Sequence, residues 1–498
     1  MADKLNWGII GLGNIARAFA KGVAGSGTGT LIAAGSRSQA SADKFGDEFD
    51  LPKGKRYDSY EALLADKDVQ AVYISTPHPM HAEWVIKAAE AGKHILSEKP
   101  IGINHAQTMA MIEAAVVNDV FLMEAFMYRC HPQTQKIVDL IRDGAIGQVR
   151  AMNSSFAFNA GFNPGGRLFA NELAGGGILD VGCYPVSMSR LVAGVALGRD
   201  YADPIDVQAV GHLIPETGVD GWTIANLKFE NDIIAQVATG IQVTMDNSVR
   251  IYGSEGNIFV PSPWIPARDG GEVVIHLTSK GKTDQIKVKS DTPLYGIEAD
   301  TVAKYVENRQ AKSPAMSWGD TLGNMATLDR WRAAIGFVLN EEKPENQTEP
   351  IHKRPLKRRA DHAMKYGQVP GVEKQVSRVV MGCDNQQTIA HASVMFDAFF
   401  EAGGNTFDTG YIYGGGHQER LLGHWIKNRG VRHEVAVISK GAHSPNCFPD
   451  KITSQLHESL ERLQTDYADI YCMHRDNPDV PVSEFVDVLN GHKDAGRI

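Results

Sequence analysis

Residues 7–16 read WGIIGLGNIA, and this stretch decides the fold. Trp7, Gly8, Ile9 and Ile10 form a short apolar run of the kind that makes a buried strand. Gly11, Gly13 and Ala16 follow at the spacing GxGxxA, and IARAFAKGVAGS (15–26) then carries a helical pattern. Strand, glycine turn and helix in that order make a cradle for a pyrophosphate. Gly11 permits the tight turn, Gly13 lets the anion approach the backbone, and Ala16 lets the helix pack closely on the strand. The anion then sits at the helix N-terminus, over Asn14 and Ile15.

Further apolar runs extend the pattern. LIAAGSRS (31–38), VQAVYISTP (69–77) and HILSEKP (94–100) read as strands, and HAEWVIKAAEAG (81–92) reads as a helix between two of them. This alternation predicts right-handed βαβ units over residues 1–125, a doubly wound Rossmann sheet for a dinucleotide. The second strand ends Gly35-Ser36-Arg37-Ser38 without an acid. An acid there would accept from the ribose hydroxyl of NAD. Arg37 instead suits a 2′-phosphate, with Ser36 as a further donor, so NADP(H) is favoured over NAD(H). Thr76, Pro77, His81, Glu98 and Lys99 stand near the C-terminal ends of later strands, where such sheets bind ligands, and join the expected cofactor site.

Residues 126–340 change texture. PQTQKIVDLIRDGAIG (132–147) is helical, and VRAMNSSFAF (149–158), GWTIANLKFE (221–230) and SVRIYGSEGNIFV (248–260) alternate with period two. They predict an α+β domain with a largely antiparallel, open sheet, closed by a helix at about 317–340. Residues 341–363 have little hydrophobic pattern. Lys353, Arg354, Lys357, Arg358 and Arg359 cluster there beside prolines, as in a solvated linker. Over 364–498 the alternation returns, with strands VSRVVMG (376–382), NTFDTG (405–410), VAVISKG (435–441) and ADIYCMH (468–474). Helical runs lie between them, making four βα units.

Composition narrows the function classes. A chain of 498 residues, 43% hydrophobic and 22% charged, holds several folded domains. A net charge of −9 gives no general reason to bind nucleic acid. The apolar runs stop short of the roughly 18 residues that span a bilayer, so no membrane partner is expected. Five scattered cysteines form no CxxC pair, which predicts no disulfide framework, no metal site and a cytoplasmic setting.

GLGNIA (11–16), TPHPMH (76–81), SEKP (97–100) and GGGILDVGCY (175–184) together resemble the Gfo/Idh/MocA oxidoreductases over about residues 5–340. Tyr184 stands where many members carry histidine, which is similar to the dihydrodiol and xylose dehydrogenase branch. The resemblance implies hydride transfer between nicotinamide and a sugar, diol or other polyhydroxy or carbonyl substrate. Tyr184 is then the general acid/base and Lys99 its electrostatic partner, lowering the phenol's pKa. Asp180 orients the substrate or the lysine, and Tyr128 and Arg129 line the pocket. Pairing of two copies through the open sheet is also implied. The alternative is a non-catalytic NADP-binding sensor or interaction protein, which has no need of a proton-transfer pair.

The C-terminal stretch resembles the aldo/keto reductases. FDTGYIYG (407–414), SKG (439–441) and MHRD (473–476) carry the likeness. It implies a tetrad of Asp408, Tyr413, Lys440 and His474 at the strand ends of a (β/α)8 barrel. Such a barrel needs roughly 250 residues, and only four of its eight units are present here. The expectation is an incomplete barrel that holds the tetrad, lacks a competent cofactor pocket and comes from a longer fusion.

Overall fold

The computed structural model describes residues 4–351 and 355–498. They divide into two compact units, one ending at Asn340 and one starting at Glu341.

The first unit opens on a parallel sheet of six strands. They are β1 (Leu5–Ile10), β2 (Gly29–Gly35), β3 (Arg56–Tyr57), β4 (Ala71–Ile74), β5 (His94–Glu98) and β6 (Leu122–Ala125), in the order β3-β2-β1-β4-β5-β6. β1 lies centrally, paired to β2 and β4, so the chain reverses winding direction beside it. That switch point is where doubly wound sheets bind ligands. The sequence reading found neither β3, of two residues, nor β6. β6 hides because Glu124 interrupts its apolar run. Its buried carboxylate accepts from Ile101 N (3.0 Å) and the Thr321 hydroxyl (3.0 Å).

The same unit carries a second, eight-stranded sheet. Its strands are β7 (Val149–Ala157), β8 (Asp206–Leu213), β9 (Asp220–Lys228), β10 (Ile234–Gly240), β11 (Val249–Gly253), β12 (Gly256–Val260), β13 (Gly271–Ser279) and β14 (Lys282–Ser290). Only β7 and β10 pair in parallel, so the sheet is largely antiparallel as expected. One face packs on the buried helix Cys183–Ala196. The other stays open, with Val210 75% exposed and Trp222, Ile224, Ile234 and Tyr252 also exposed among polar residues such as Gln208, Asn226 and Gln236. Helix Trp318–Ala334 starts where Ser317 Oγ accepts from Asp320 N, within the expected closing segment. Among the described residues, one stretch, Asn171–Ala196, is long and apolar enough in composition to cross a bilayer, although Asp180 and Arg190 interrupt its apolar run. Its apolar part is buried inside the unit, where helix Cys183–Ala196 packs on β7 and β10.

In the second unit a hairpin, β15 (Tyr366–Gly367) with β16 (Val376–Ser377), precedes a parallel sheet. β17 (Val380–Gly382), β18 (Thr406–Asp408), β19 (Ala436–Gly441) and β20 (Ile470–Met473) lie in sequence order, each followed by a helix. Phe407 and Val437 point to the helices and pack with Phe396 and Trp425. The opposite face is less covered, with Val380 44% exposed. Among the described residues, β17 and β20 leave their outer edges unpaired.

The described residues of 341–363 are not a free linker. Gln347 Oε1 accepts from Ile389 N (2.7 Å), Asn428 donates to Thr348 O (2.8 Å) and Leu356 packs on the Phe407 core. Arg358 pairs with Glu434 at 3.3 Å. A few buried anchors suffice to fasten a polar stretch, and they leave no periodic signal. Lys353 and Arg354 of the basic cluster lie outside the described residues.

Candidate functional site

The site begins at the switch point. Gly11 has φ +85°, and a Cβ there would lie 3.0 Å from the Ser75 and Thr76 backbone. Glycine is required on both counts. A Cβ at Gly13 would meet nothing within 4 Å. Helix Asn14–Ala24 starts there with no side-chain cap and no acid in its first turn, leaving its N–H groups open to an anion. Asn14 is exposed, Ile15 half-buried and Ala16 buried against the strand. Arg37 is exposed at the end of β2 beside Ser36, and it interacts with Tyr60. Pro77 leads into the short turn His78–Met80. Thr76 Oγ1 and Ser97 Oγ are buried at the strand ends without a partner among the described residues. An open glycine cradle, an uncapped helix and orphaned hydroxyls fit a dinucleotide.

Two expected cofactor residues are turned to other work. The His81 ring is fully buried between Pro100 O (2.9 Å) and Thr76 O (2.8 Å), so it ties two site loops together. Glu98 is buried, accepting from the Tyr73 hydroxyl and from Lys99 N (3.2 Å).

Beyond the strand ends lies a charged cluster. Lys99 Nζ donates to Asp180 O at 2.7 Å and sits 3.7 Å from Asp180 Oδ1. Arg167 Nη1 donates to the same Oδ1 at 2.8 Å. Burial alone would raise the Asp180 carboxyl, but the two cations overcome it and hold it at about 2. Burial likewise opposes the Lys99 charge, and Asp180 outweighs it and raises the ammonium's pKa. His78 completes the cluster from its buried position, pushed down to about 3 mainly by that burial.

Tyr184 stands in the first turn of helix Cys183–Ala196. Its ring touches four other aromatic rings, with centroids at 5.1 Å for Phe126 and Phe156, 5.7 Å for Tyr128 and 5.9 Å for Trp264. Lys99 Nζ lies 5.4 Å from the ring centroid, and the Tyr184 hydroxyl faces Met127 Sδ at 3.6 Å. Whatever the lysine contributes, the net shift of the phenol's pKa is upward. Burial raises it well above the ordinary value, and Glu98 adds to that. Arg129 does not line the pocket either. Its side chain is 0% exposed and bonds Asp320 (2.6 Å), Ser187 Oγ (2.7 Å) and Pro314 O (2.5 Å). Tyr128 remains at the aromatic enclosure, its hydroxyl 3.4 Å from Tyr184 O.

The second unit brings its four candidates together. Lys440 Nζ bonds both Asp408 oxygens at 2.7 and 2.6 Å. The Tyr413 ring centroid lies 5.0 Å from Lys440 Nζ and 5.5 Å from the His474 ring. His474 Nδ1 is buried without a partner among the described residues. Burial opposes the Lys440 charge, and Asp408 and Tyr413 outweigh it and raise the ammonium's pKa.

Known proteins match this chain in the same three blocks. Residues 5–126 match the family model for an oxidoreductase family with an NAD-binding Rossmann fold, and 134–259 match the GFO/IDH/MocA C-terminal domain. Trans-1,2-dihydrobenzene-1,2-diol dehydrogenase of Mus musculus is 30% identical over 68% of this chain and 99% of its own length. The chain belongs to the Gfo/Idh/MocA oxidoreductases. Residues 380–498 of this Gfo/Idh/MocA chain match the aldo/keto reductase family. D-xylose 1-dehydrogenase (NADP(+)) 2 of Haloferax volcanii is 31% identical, over 59% of this chain and 86% of its own. A 3-ketoreductase from Actinomadura kijaniata, solved with NADP and TDP-benzene, superimposes with a TM-score of 0.59 at 26% identity. It covers 67% of this chain and 98% of its own. The chain is thus an NAD(P)-dependent oxidoreductase.

Sequence reasoning missed Arg167, His78, Phe156 and Trp264. Arg167 sits in a glycine-rich loop without periodicity, and the two aromatics read as ordinary sheet and loop residues. His78 was in view, inside the TPHPMH motif, but nothing in its spacing pointed to Asp180.

Proposed function

We propose that the first unit transfers hydride between NADP(H) and the CH–OH carbon of a cyclic sugar or diol. The observation that carries this reading is the Lys99–Asp180 pair beside a tyrosine enclosed by aromatic rings, next to the dinucleotide cradle. Gly11, Gly13 and the start of helix Asn14–Ala24 hold the pyrophosphate, and Arg37 with Ser36 takes the 2′-phosphate. The NADP named with two of the similar proteins supports that choice. When bound, the nicotinamide supplies or accepts the hydride. In the reducing direction, the Tyr184 hydroxyl donates its proton to the substrate oxygen as the carbonyl becomes an alcohol. Its raised pKa keeps it in the donor form. Lys99 polarises the substrate oxygen, and Asp180 holds Lys99 in place. The rings of Phe156 and Trp264 give a cyclic substrate an apolar wall.

The test follows NADPH absorbance with the full chain against a panel of aldoses and dihydrodiols, with Lys99→Met and Tyr184→Phe as controls. Tight NADPH binding with no turnover, equal in wild type and variants, would favour a sensor instead. In the second unit, Asp408, Lys440, Tyr413 and His474 form a tetrad at the strand ends of the four-stranded parallel sheet. That sheet is expected to hold no dinucleotide of its own, so one NADPH binds per chain, in the first unit, and two would refute this. The five free thiols suit a reducing, cytoplasmic setting.

A further inference from the structure

Between the catalytic cluster and the large sheet lies a contact that the reaction itself does not use. Residues 175–177 are three glycines, followed by a π-helical turn, Ile178–Gly182, that carries Asp180. Helix Cys183–Ala196, bearing Tyr184, continues from it directly. π-Turns are costly and concentrate at functional sites. This one is gripped at its first peptide. Asp220 Oδ2, at the start of β9, accepts from Ile178 N at 2.9 Å. Thr239 Oγ1, in β10, lies 3.1 Å from Gly177 O and 3.0 Å from Phe156 O. The Gly177 carbonyl and the Ile178 N–H belong to one peptide unit, so its two polar ends are held by neighbouring strands. Both side chains are 0% exposed.

The glycines make the grip possible. A Cβ at Gly176, where φ is +105°, would fall 2.3 Å from Asp220 Oδ1. A Cβ at Gly177 would fall 3.0 Å from Gly240 Cα and 3.1 Å from Asp220 Oδ2. Asp220 Oδ1 has no partner among the described residues, and burial pushes the carboxyl up to about 8, so a polar acid group is buried here with half of its hydrogen-bonding capacity unused. Such burial is costly for a group that merely fills space. The turn it holds sets both contacts of Lys99, the Asp180 carbonyl at 2.7 Å and the Asp180 carboxylate at 3.7 Å.

We propose that Asp220 and Thr239 are positioning residues of the active site, clamping the Gly177–Ile178 peptide so that Asp180 meets Lys99. The inference rests on reading Lys99, Asp180 and Tyr184 as the reacting group. The clamp touches neither the cofactor cradle nor the reacting atoms, so its loss shows in turnover and not in cofactor affinity.

The experiment uses the full-length chain and compares kcat, substrate KM, NADPH Kd and thermal midpoint for Asp220→Asn, Asp220→Leu, Thr239→Val and the Asp220→Leu/Thr239→Val pair. Displacing a reacting group by about 1 Å costs roughly 100-fold in turnover. Asp220→Leu is therefore expected to lose about that much kcat, with NADPH Kd within about twofold of wild type. Asp220→Asn keeps an acceptor for Ile178 N and recovers most of the loss. Thr239→Val, nearly isosteric, lowers kcat in the same direction. The double variant loses no more than the worse single one, as expected for two residues acting on one peptide. Wild-type kcat in Asp220→Leu and Thr239→Val overturns the clamp. So does a parallel loss of kcat, cofactor binding and thermal midpoint that Asn does not rescue, since that marks plain structural support. Should Asp220→Leu fail to fold, Asp220→Asn and Thr239→Val decide the matter through the same split. Lys99→Met serves as reference: if it turns over normally, the reading of the reacting group fails, whatever the clamp variants do.

Discussion

At the scale of single residues, the pattern of charge burial separates chemistry from support. Tyr184→Phe removes the proton donor and is expected to lower kcat by roughly 10²–10⁴-fold with NADPH binding kept, read from steady-state rates. Burial raises the Tyr184 phenol, so it stays protonated across neutral pH, and Asp180 is held ionised down to about 2. The reductive kcat is therefore expected to stay flat from about pH 6 to 9, falling only where a phenol at or above its ordinary ~10 deprotonates. A break near neutrality in the pH profile would refute this assignment. Arg37→Asp should shift the preference from NADPH toward NADH by on the order of ten- to a hundredfold, measured as a ratio of kcat/KM. Glu298 is buried with neither oxygen partnered among the described residues, and burial raises its pKa. The folded state then binds a proton that the unfolded state releases above the usual carboxyl range, so this residue costs stability as pH rises. Glu298→Met should stabilise the chain by about 1–3 kcal/mol at alkaline pH and by less under acid, measured by denaturant unfolding. The sequence showed Lys99, Asp180 and Tyr184 because they stand in ordered motifs. It misplaced Arg129 because a charge in a sequence does not display its partner, here Asp320 buried 191 positions away.

Elements were legible wherever one period governed them. β1 and the helix Asn14–Ala24 follow from apolar runs bounded by glycine, and β9 alternates in burial from Gly221 to Lys228. β6 was not legible, since a buried acid satisfied by Ile101 N and Thr321 looks like a surface break. The hairpin β13–β14 also went unread, although Gly281 marks its turn with φ +76°. The π-turn has no sequence period at all. Only GGG before it hints that the backbone must approach something closely. The glycine turn after β1 gives the sharpest prediction at this scale. Gly11→Ala places a methyl 3.0 Å from the Ser75–Thr76 backbone at positive φ. The strain of about 1–2 kcal/mol should lower the thermal midpoint, and the shifted loop should weaken NADPH binding in a fluorescence titration.

Over the whole molecule, the two units present different surfaces to solvent. We propose that the open face of the eight-stranded sheet joins two copies of the chain, because Val210, Trp222 and Ile224 stand exposed beside one another on it. Val210 and Ile224 are opposite one another on that face. The Val210→Glu/Ile224→Glu pair should convert a dimer to a monomer in light scattering while leaving the fold intact. A wild-type monomer at micromolar concentration would sink the idea. The parallel sheet of the second unit has a different consequence. Among the described residues its two outer edges are unpaired, and such edges are templates that a like strand can extend. During refolding, intramolecular closure is first order in chain, whereas edge-to-edge capture is second order. Recovery from denaturant is therefore a kinetic race whose outcome is set by dilution.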